Sequence, residues 1–469
     1  HADDVFGSTT TTGSGTTQTA GYTTEAREEV HVSQAYTDGA QNQSSVTALE
    51  GGGYVVTWHS VNQEEHDPNG GVYAQVYGVS GLPLGEQFQV NQETYHYQNN
   101  PSITALKDGG FVATWQDYSH VNNAGDTNNY GVCGQRFDAF GARLGEQFDI
   151  NTYTTGAQLE PSVAAHGDGF VVTWTDHSGS SGSRGGSGYD IFGKIFTTTD
   201  ANNNPVVDGM PVEVENTSIA NSNEFLINTA SGNQSQSSVT ELADGGFVVT
   251  WYSSSGTNIY AQRFDASGAE LGSQFQINNL TGNTQDYPSV SAVGDGFVVT
   301  WRTYGQDSDH SSSYANIHAR VFTTTDGSGD PVAGGTPVAE GNEFLVNQDT
   351  YYVGQQYHPS VTTLADGNFV VTWYDTDGSN NVDGGSGHDV FAQIFKPDGS
   401  KVYQLQSDSS VPGFAGNKPT DSSDTGVDST AVATNVTVNI GGSDTTVDIH
   451  AYSYTHNSVT EKVLVAFDS

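Results

Sequence analysis

The segment from residue 375 to residue 383 is the richest in side chains that could bind a metal. It reads Asp-Thr-Asp-Gly-Ser-Asn-Asn-Val-Asp, and its carboxylate and amide groups belong to Asp375, Asp377, Asn380 and Asp383. Calcium takes about six to eight oxygen ligands from carboxylates, amides and carbonyls in a flexible loop. The Asp-x-Asp-Gly spacing suits such a loop, although the distal bidentate Glu of an EF-hand is absent. We therefore expect a calcium site here.

Two further segments have the spacing of a nine-residue calcium-binding repeat, GGxGxDxUx. They cover residues 384–392 and 185–193, and their acidic residues are Asp389 and Asp190. Single copies cannot stack into the roll that such repeats form, so each supplies a half-site at most. Asp176 precedes the second segment and is a further candidate ligand. The alternative interpretation is a polar loop that leads into the next strand.

Charge and composition exclude several classes of partner. Lys and Arg total 13 against 54 Asp and Glu, which gives a net charge of −41. Nucleic-acid binding needs a basic surface, so it is not expected. No apolar run approaches the roughly 18 residues that a membrane span requires. Abundant Gly, with Thr, Ser and Asn, disfavours helices, whereas 11% aromatic residues indicate a folded chain.

Other reactive residues offer little chemistry. The single cysteine, Cys133, excludes a disulfide framework and is expected to be a small buried core residue. No nucleophile elbow, zinc-binding helix or phosphate-binding loop occurs, so we predict that the chain is not an enzyme. His1 could chelate copper only with a second ligand. A chain that starts at His1 without Met predicts removal of a signal peptide and secretion.

An internal repeat dominates the chain. An aromatic-Val-Val-Thr-Trp string recurs with small variations, and it holds every tryptophan of the sequence. We expect these side chains to form a core between repeats: Trp58, Trp115, Trp174, Trp251, Trp301 and Trp373.

Most repeats show four β signals in a fixed order. A Pro-Ser-Val or Ser-Ser-Val run precedes a Gly-rich turn and the Trp-ended strand, and strands such as IYAQRFD and SQFQIN follow. Asp-Gly and Gly-Gly suit tight hairpins. Four antiparallel strands repeated around an axis form a β-propeller. The fold class is therefore all-β: six blades of four strands, with seven as the alternative, and a small C-terminal β extension.

The repeat pattern divides the chain into four parts. Residues 1–27 are a Gly/Ser/Thr-rich tail, 28–406 the propeller, 407–430 a linker and 431–469 a C-terminal module of three strands or a seventh blade. The sixth repeat lacks a clear fourth strand. The segment 29–33 has the matching pattern, so we expect it to complete the last blade and remove a sheet edge.

The strings DGGFVVTW and IYAQRFDASG, with the Pro-Ser-Val lead-in, resemble repeats of large secreted bacterial proteins associated with RTX (hemolysin-type) calcium-binding modules. The resemblance covers about residues 28–406. It implies an extracellular, calcium-associated protein and no characterised activity.

Two functions remain open. The first is a calcium-stabilised structural protein that polymerises with itself into an extracellular filament, sheath or surface layer, because the tail and the C-terminal strands could join neighbouring subunits. The second is an adhesive module that binds cell-surface or matrix glycans. In that case aromatic residues after a fourth strand would stack on sugars: Tyr95, Tyr97, Tyr351 and Tyr352.

Overall fold

The structure is a computed structural model of the 469-residue chain. It describes residues 32, 40–61, 63, 70–94, 96–118, 130–178, 188–200, 204–206, 209–215, 223–305, 315–325, 337–339, 341–347, 355–375, 389–402, 406–407, 428–440, 443–456 and 459–468. At 375, at 389 and from 406 onward only the backbone is described. In the part of the chain that is described, no helix has both the length and the apolar character needed to cross a membrane.

The described chain is all-β and forms a six-bladed β-propeller, as the repeat predicts. Each blade is an antiparallel sheet whose strands follow chain order outward from the axis. The first strands of consecutive blades are neighbours and therefore surround the central channel. We call the face where these first strands begin the upper face. The second strands end on the same face, because they run antiparallel to the first.

Blades 1, 2 and 4 have four regular strands. Blade 1 contains β1 (Gln41–Ala48), β2 (Tyr54–Ser60), β3 (Gly71–Tyr77) and β4 (Phe88–Gln89). Blade 2 contains β5 (Gln98–Ala105), β6 (Phe111–Asp117), β7 (Gly131–Phe137) and β8 (Arg143–Asp149). Blade 4 contains β14 (Gln234–Glu241), β15 (Phe247–Ser253), β16 (Asn258–Phe264) and β17 (Glu270–Gln276).

Blades 3 and 5 carry insertions that divide the fourth strand into two short pieces. Blade 3 contains β9 (Gln158–His166), β10 (Gly169–Asp176), β11 (Asp190–Thr197), β12 (Val212–Glu213) and β13 (Phe225–Leu226). Blade 5 contains β18 (Gln285–Val293), β19 (Gly296–Tyr304), β20 (Ala315–Thr323), β21 (Val338–Ala339) and β22 (Phe344–Leu345).

Blade 6 has three strands among the described residues: β23 (Gln356–Thr363), β24 (Phe369–Asp375) and β25 (Asp389–Phe395). The chain then turns and pairs briefly with β25 again, through a bridge between Phe395 and Lys401 and a hydrogen bond from the Val402 amide to the Ile394 carbonyl. The segment 29–33 that was expected to complete this blade lies outside the described residues except for Val32, and so does the tail 1–27.

The C-terminal region forms a separate four-stranded sheet in the order β26-β29-β28-β27. Its strands are β26 (Gln406–Ser407), β27 (Asp428–Ile440), β28 (Ser443–His456) and β29 (Val459–Asp468). The three strands predicted from the alternating pattern are therefore present, and a fourth short strand joins them from the predicted boundary between propeller and linker. Strand β27 also begins before the predicted boundary at residue 431.

Five apolar cores lie between consecutive blades, and five of the six tryptophans lie in them. Each core joins one side of a blade to the Trp-bearing side of the next; these tryptophans are Trp115, Trp174, Trp251, Trp301 and Trp373. Trp58 of blade 1 is also buried. Cys133 is fully buried opposite Trp115, and burial, with the charges of Asp117 and Asp149, raises its thiol pKa well above the usual value. A buried neutral thiol is a poor nucleophile.

A buried asparagine recurs at the same position, just after the fourth strand, in each of the first five blades. The residue is Asn91, Asn151, Asn228, Asn278 or Asn347, and it is buried just after the fourth strand. Its side-chain oxygen accepts a hydrogen bond from an amide near the start of the third strand, at 2.9, 2.6, 2.7, 2.9 and 2.9 Å in blade order. Because a buried unpaired amide is costly, this bond fixes the outer strand against the blade.

Candidate functional site

Two of the predicted calcium ligands lie side by side. Asp176 ends β10 and Asp190 begins β11, and the two residues are directly opposite across the strand pair. Both are buried. Asp190 Oδ1 accepts a hydrogen bond of 2.8 Å from Asn228 Nδ2, and Asp176 Oδ1 accepts one of 2.7 Å from the Ser178 amide. Blade 3 thus brings two carboxylates to its upper edge, as a half-site would require.

Blade 6 repeats this arrangement at the level of the backbone. Asp375 and Asp389 are Cα partners across β24 and β25. The other predicted ligands of this loop, Asp377, Asn380 and Asp383, lie outside the described residues. Within the described ranges, no group of three or more His, Cys, Asp or Glu residues is arranged to hold a metal ion.

The upper mouth of the channel is built from a repeated β-bulge. In every first strand the pairing register shifts after the second residue. The third residue of each of these strands has positive φ. The six residues have φ between 48° and 59°: Gln43, Asn100, Glu160, Gln236, Tyr287 and His358. Positive φ is uncommon for residues other than glycine. Because it recurs at the same position of every blade, the bulge is a regular part of the repeat. We call the six residues the mouth ring.

Hydrogen bonds connect the mouth ring from blade to blade. Gln43 Oε1 accepts from the Asn100 amide at 3.1 Å, Glu160 Oε2 from the Gln236 amide at 3.0 Å, and Gln236 Oε1 from the Tyr287 amide at 2.9 Å. Between blades 2 and 3, Gln116 Oε1 accepts from the Glu160 amide at 3.1 Å. In blades 1 to 4, therefore, polar side chains of the mouth are used to satisfy the amide of the next blade.

The mouth ring changes character at blades 5 and 6. Tyr287 and His358 have no side-chain amide or carboxylate, and instead their rings stack at 4.3 Å between centroids with an interplanar angle of 26°. The residue after the Trp string also differs here. In blade 5 this residue is Arg302, whereas blades 1 to 4 have His, Gln, Thr and Tyr, and blade 6 has Tyr374.

Arg302 is the centre of this half of the mouth. Its Nε and Nη2 donate to Asp286 Oδ1 and Oδ2 at 2.7 and 2.6 Å, and the two residues are only 7% and 9% exposed. The guanidinium lies over three tyrosine rings, at 4.6 Å from Tyr287, 4.7 Å from Tyr304 and 4.7 Å from Tyr357. A bidentate pair surrounded by aromatic faces holds both charges in one geometry.

Further rings extend the cluster toward solvent. Tyr374 stacks on Tyr357 at 5.5 Å and lies 5.5 Å from the His358 ring. The four tyrosines are half-buried and His358 is exposed. We define the aromatic cluster by these residues: Asp286, Tyr287, Arg302, Tyr304, Tyr357, His358 and Tyr374.

The electrostatics of the cluster favour neutral ring groups around one satisfied ion pair. Burial opposes the charge of Arg302, but the hydrogen bonds and charge of Asp286 outweigh it and raise the guanidinium pKa. Burial raises the pKa of Tyr287 and Tyr304, so their hydroxyls stay protonated and can donate. Desolvation of the imidazole by the rings packed against it, with the charge of Arg302, lowers the pKa of His358 although the residue as a whole is exposed. The cluster can therefore offer aromatic faces and hydroxyl or imidazole hydrogen bonds without a free charge.

The glycan-binding residues expected from sequence are only partly described. Tyr97 is 46% exposed at the upper face of blade 2. Its neighbour His96 lies edge-on to Tyr118, which in turn contacts Tyr130. Tyr95, Tyr351 and Tyr352 lie outside the described residues.

The aromatic cluster itself was not predicted. A signal for it exists, because alignment of the six repeats shows Tyr287 and His358 where other blades have Gln, Asn or Glu, and Arg302 directly after the Trp string.

Comparison with known proteins finds only distant structural similarity. No family model matches the chain, and no curated protein matches it. A protein of unknown function from Dyadobacter fermentans is 14% identical, with a TM-score of 0.47 over 76% of this chain and 94% of that one. The periplasmic gluconolactonase of Pseudomonas aeruginosa is 13% identical, with a TM-score of 0.44 over 75% and 88%.

An α-L-arabinofuranosidase of Fusarium graminearum is 12% identical, with a TM-score of 0.38 over 75% of this chain and 92% of that one. At these identities the similarity concerns the fold and says nothing about the residues of the mouth. The comparisons do not test the prediction that this chain is not an enzyme.

Proposed function

We propose that the chain is a glycan-binding propeller and that a neutral saccharide binds at the aromatic cluster. The observation that carries the proposal is the change in the mouth ring. Its polar side chains in blades 1 to 4 are replaced in blades 5 and 6 by stacked rings beside Arg302. Aromatic faces pack against the C–H faces of a sugar, and rim hydroxyls bond its hydroxyls. Small-molecule sites commonly combine aromatic walls with a few placed polar groups.

Charge favours a neutral ligand over an acidic one. Asp286 occupies Arg302 through Nε and Nη2, so the guanidinium is already neutralised where it would otherwise attract an anion. The chain as a whole carries −41 charges, which repel polyanionic glycans. A site of stacked tyrosines with a satisfied ion pair suits a saccharide without carboxylate or sulfate groups.

Binding fits the cluster better than catalysis does. Hydrolysis of a glycosidic bond ordinarily uses two carboxyl groups, one as acid and one as base or nucleophile. The carboxylate of the cluster, Asp286, is held by Arg302 with both oxygens. A group paired in this way is a poor proton donor or nucleophile. We therefore assign the cluster to recognition.

A glycan array followed by calorimetry tests this proposal. We expect the full chain to bind one or more neutral oligosaccharides and to ignore sulfated and uronic-acid glycans. Tyr287→Gln should weaken binding at least about tenfold, because it removes the central ring while a Gln already adopts the same backbone geometry in blade 4.

The control for this experiment is Tyr97→Ser. Tyr97 is an exposed tyrosine on the same face but in another blade, so its loss should leave affinity unchanged. Absence of neutral-glycan binding, or equal affinity of Tyr287→Gln and the unchanged chain, would contradict the assignment. An affinity that falls only in Tyr97→Ser would place the site in blade 2 instead.

A further inference from the structure

Lys194 places a buried amine in the third strand of blade 3. Its side chain is 1% exposed, and its Nζ lies 5.7 Å from the centroid of the Phe196 ring. At the equivalent position the other blades have glutamine or arginine: Gln75, Gln135, Gln262, Arg320 and Gln393. Each of these glutamines donates to a backbone carbonyl of its own strand, so a blade of this fold closes without a lysine here. Unlike arginine, a buried lysine can lose its proton and act as a nucleophile.

A single carboxylate connects this amine to a side-chain amide. Lys194 Nζ donates to Glu213 Oε1 at 2.7 Å, and Asn223 Nδ2 donates to Glu213 Oε2 at 2.9 Å. Glu213 lies in β12 opposite Phe196, which is two residues after Lys194, so the three side chains share one face of the sheet. Asn223 stands just ahead of β13 with a φ of 53°, a left-handed conformation that asparagine adopts more readily than most residues. The two pieces of the divided fourth strand thus bring a carboxylate and an amide to the amine.

Blade 5 has the same divided fourth strand without this set of groups. Arg320 stands where blade 3 has Lys194, and Ala339 stands where blade 3 has Glu213. Arg320 Nη1 instead donates to a main-chain carbonyl of blade 4 at 2.8 Å. A divided fourth strand therefore forms without an amine, a carboxylate and an amide in contact, and their presence in blade 3 indicates a chemical role.

We propose that Lys194 and Asn223 form an intramolecular isopeptide bond, with Glu213 as the proton carrier. Glu213 takes a proton from the Lys194 ammonium, and the Nζ lone pair attacks Cγ of Asn223. A bond forms between Nζ and Cγ, and the bond between Cγ and Nδ2 breaks. Of the three ammonium protons, one stays on the new amide nitrogen, and Glu213 passes the other two to Nδ2, which leaves as ammonium. The bond ties β11 to the residue ahead of β13 and so holds the insertion of blade 3 to its sheet.

The surroundings of the three groups support each part of this step. Proton transfer from Lys194 to Glu213 replaces two charges with two neutral groups, which burial of the amine favours. Thr152 Oγ1 accepts a hydrogen bond of 2.8 Å from Nζ and fixes the amine beside the carboxylate. Holding the amine and the amide on one carboxylate removes most of the entropy cost of their encounter. The Glu213 side chain is 38% exposed, so ammonium has a path to solvent.

The intact mass of the denatured full chain tests the bond. We expect the unchanged chain to weigh about 17 Da less than its sequence, because one ammonia is lost. Lys194→Arg keeps the charge but removes the amine, and Glu213→Gln removes the proton carrier, so each variant should have the full mass of its own sequence. Circular dichroism should show the same β content in both variants. An unchanged chain with the full mass of its sequence would refute the proposal and leave an ion pair only.

Tryptic digestion of the denatured chain locates the bond. Between Arg184 and Arg263 the sequence has no Lys or Arg except Lys194, so a chain without the bond gives the peptides 185–194 and 195–263. Trypsin does not cleave after an acylated lysine. The bonded chain should therefore give one peptide, 185–263, that lacks one ammonia. Cleavage after Lys194 in a chain that has lost ammonia would assign the loss to another asparagine and would overturn the proposal.

Gln393→Lys is the matched control. It places a lysine at the equivalent position of blade 6, where Phe395 is bridged to Lys401 and not to a glutamate. Without a carboxylate to carry protons, the new lysine should be cleaved by trypsin and should cause no further loss of ammonia. A bond at this lysine, or a bond at Lys194 that survives Glu213→Gln, would contradict the role given to Glu213.

Discussion

The two halves of the upper mouth share a backbone and differ in chemistry. In blades 1, 3 and 4 the side chain of the bulge residue accepts a hydrogen bond from the next blade, as Gln236 does from the Tyr287 amide, and in blade 2 Gln116 takes this role. In blades 5 and 6 the bulge residues carry rings that contact one another and Arg302. The bulge has the same positive φ in both halves. A scaffold that fixes the backbone independently of these side chains leaves them free to specify a ligand.

The first way to examine this separation is to weaken the scaffold in both halves. Trp174→Ala and Trp301→Ala should each reduce the free energy of unfolding by about 3–5 kcal/mol, because each removes a fully buried indole. Trp301 Nε1 donates to Gln285 at 3.1 Å, whereas Trp174 Nε1 is buried without a hydrogen-bond partner in the described chain. The Trp301 variant should therefore lose the additional hydrogen bond, on the order of 1 kcal/mol. Urea unfolding measures both, and a change below about 1 kcal/mol in either would contradict a shared core.

The second test converts one half of the mouth into the other. Arg302→Ala leaves Asp286 buried without its partner and should cost about 3–5 kcal/mol. Replacing the pair together, Arg302→Tyr with Asp286→Ser, copies the Tyr252 and Ser235 pair of blade 4 and should recover most of that loss. The double variant should still fail to bind glycan. Recovered binding in that variant would show that Arg302 does not organise the site.

The third test concerns the paired aspartates of blade 3, which have no counterpart in the mouth of blade 5. We propose that Asp176 and Asp190 contribute to a calcium site, and a ligand at about 100 times its Kd stabilises a fold by about 2.7 kcal/mol. EDTA should then lower the melting midpoint of the unchanged chain. Asp190→Asn should reduce this response, since the site predicted at residues 375–383 is left unchanged. A midpoint indifferent to EDTA and restored calcium would remove calcium from the account of stability.

The smallest expected effect is the pH dependence that His358 gives to the aromatic half. The pKa of His358 is lowered, so the fold prefers the neutral imidazole. Its contribution to stability is therefore present above the usual pKa of about 6.5 and is lost as pH falls through the lower folded value. His358→Asn, which places the residue type of Asn100 at this position, should flatten the profile of urea midpoint below pH 6.5. An unchanged profile would mean that other groups govern the acid range.

The sequence repeat was enough to predict the propeller, whereas the backbone and the contacts of the mouth could not be predicted from it. Each tryptophan ends the same short apolar string, and this recurrence predicts a buried strand in every blade. Residues of these strings lie in the cores between blades. The bulge was not predictable, since neither Gln43 nor Tyr287 belongs to the types that favour positive φ. Only after pairing is known does Arg302 come opposite Asp286. Sequence spacing gave Asp176 and Asp190 as candidates because strand pairing across one loop is a local property.

The buried asparagine after the fourth strand of blades 1 to 5 bears on how a chain of this kind could gain or lose blades. Its oxygen serves the amide of its own blade, at 2.9 Å for Asn278 and the Ile259 amide. The hydrogen bonds described at the mouth each join a blade to its immediate successor. A tandem duplication of one unit would therefore bring its own acceptor and create one more junction of an existing kind. Gain or loss of a whole blade would therefore leave each of these amides with an acceptor of the same kind, so the number of blades could change while the pattern of hydrogen bonds stayed the same.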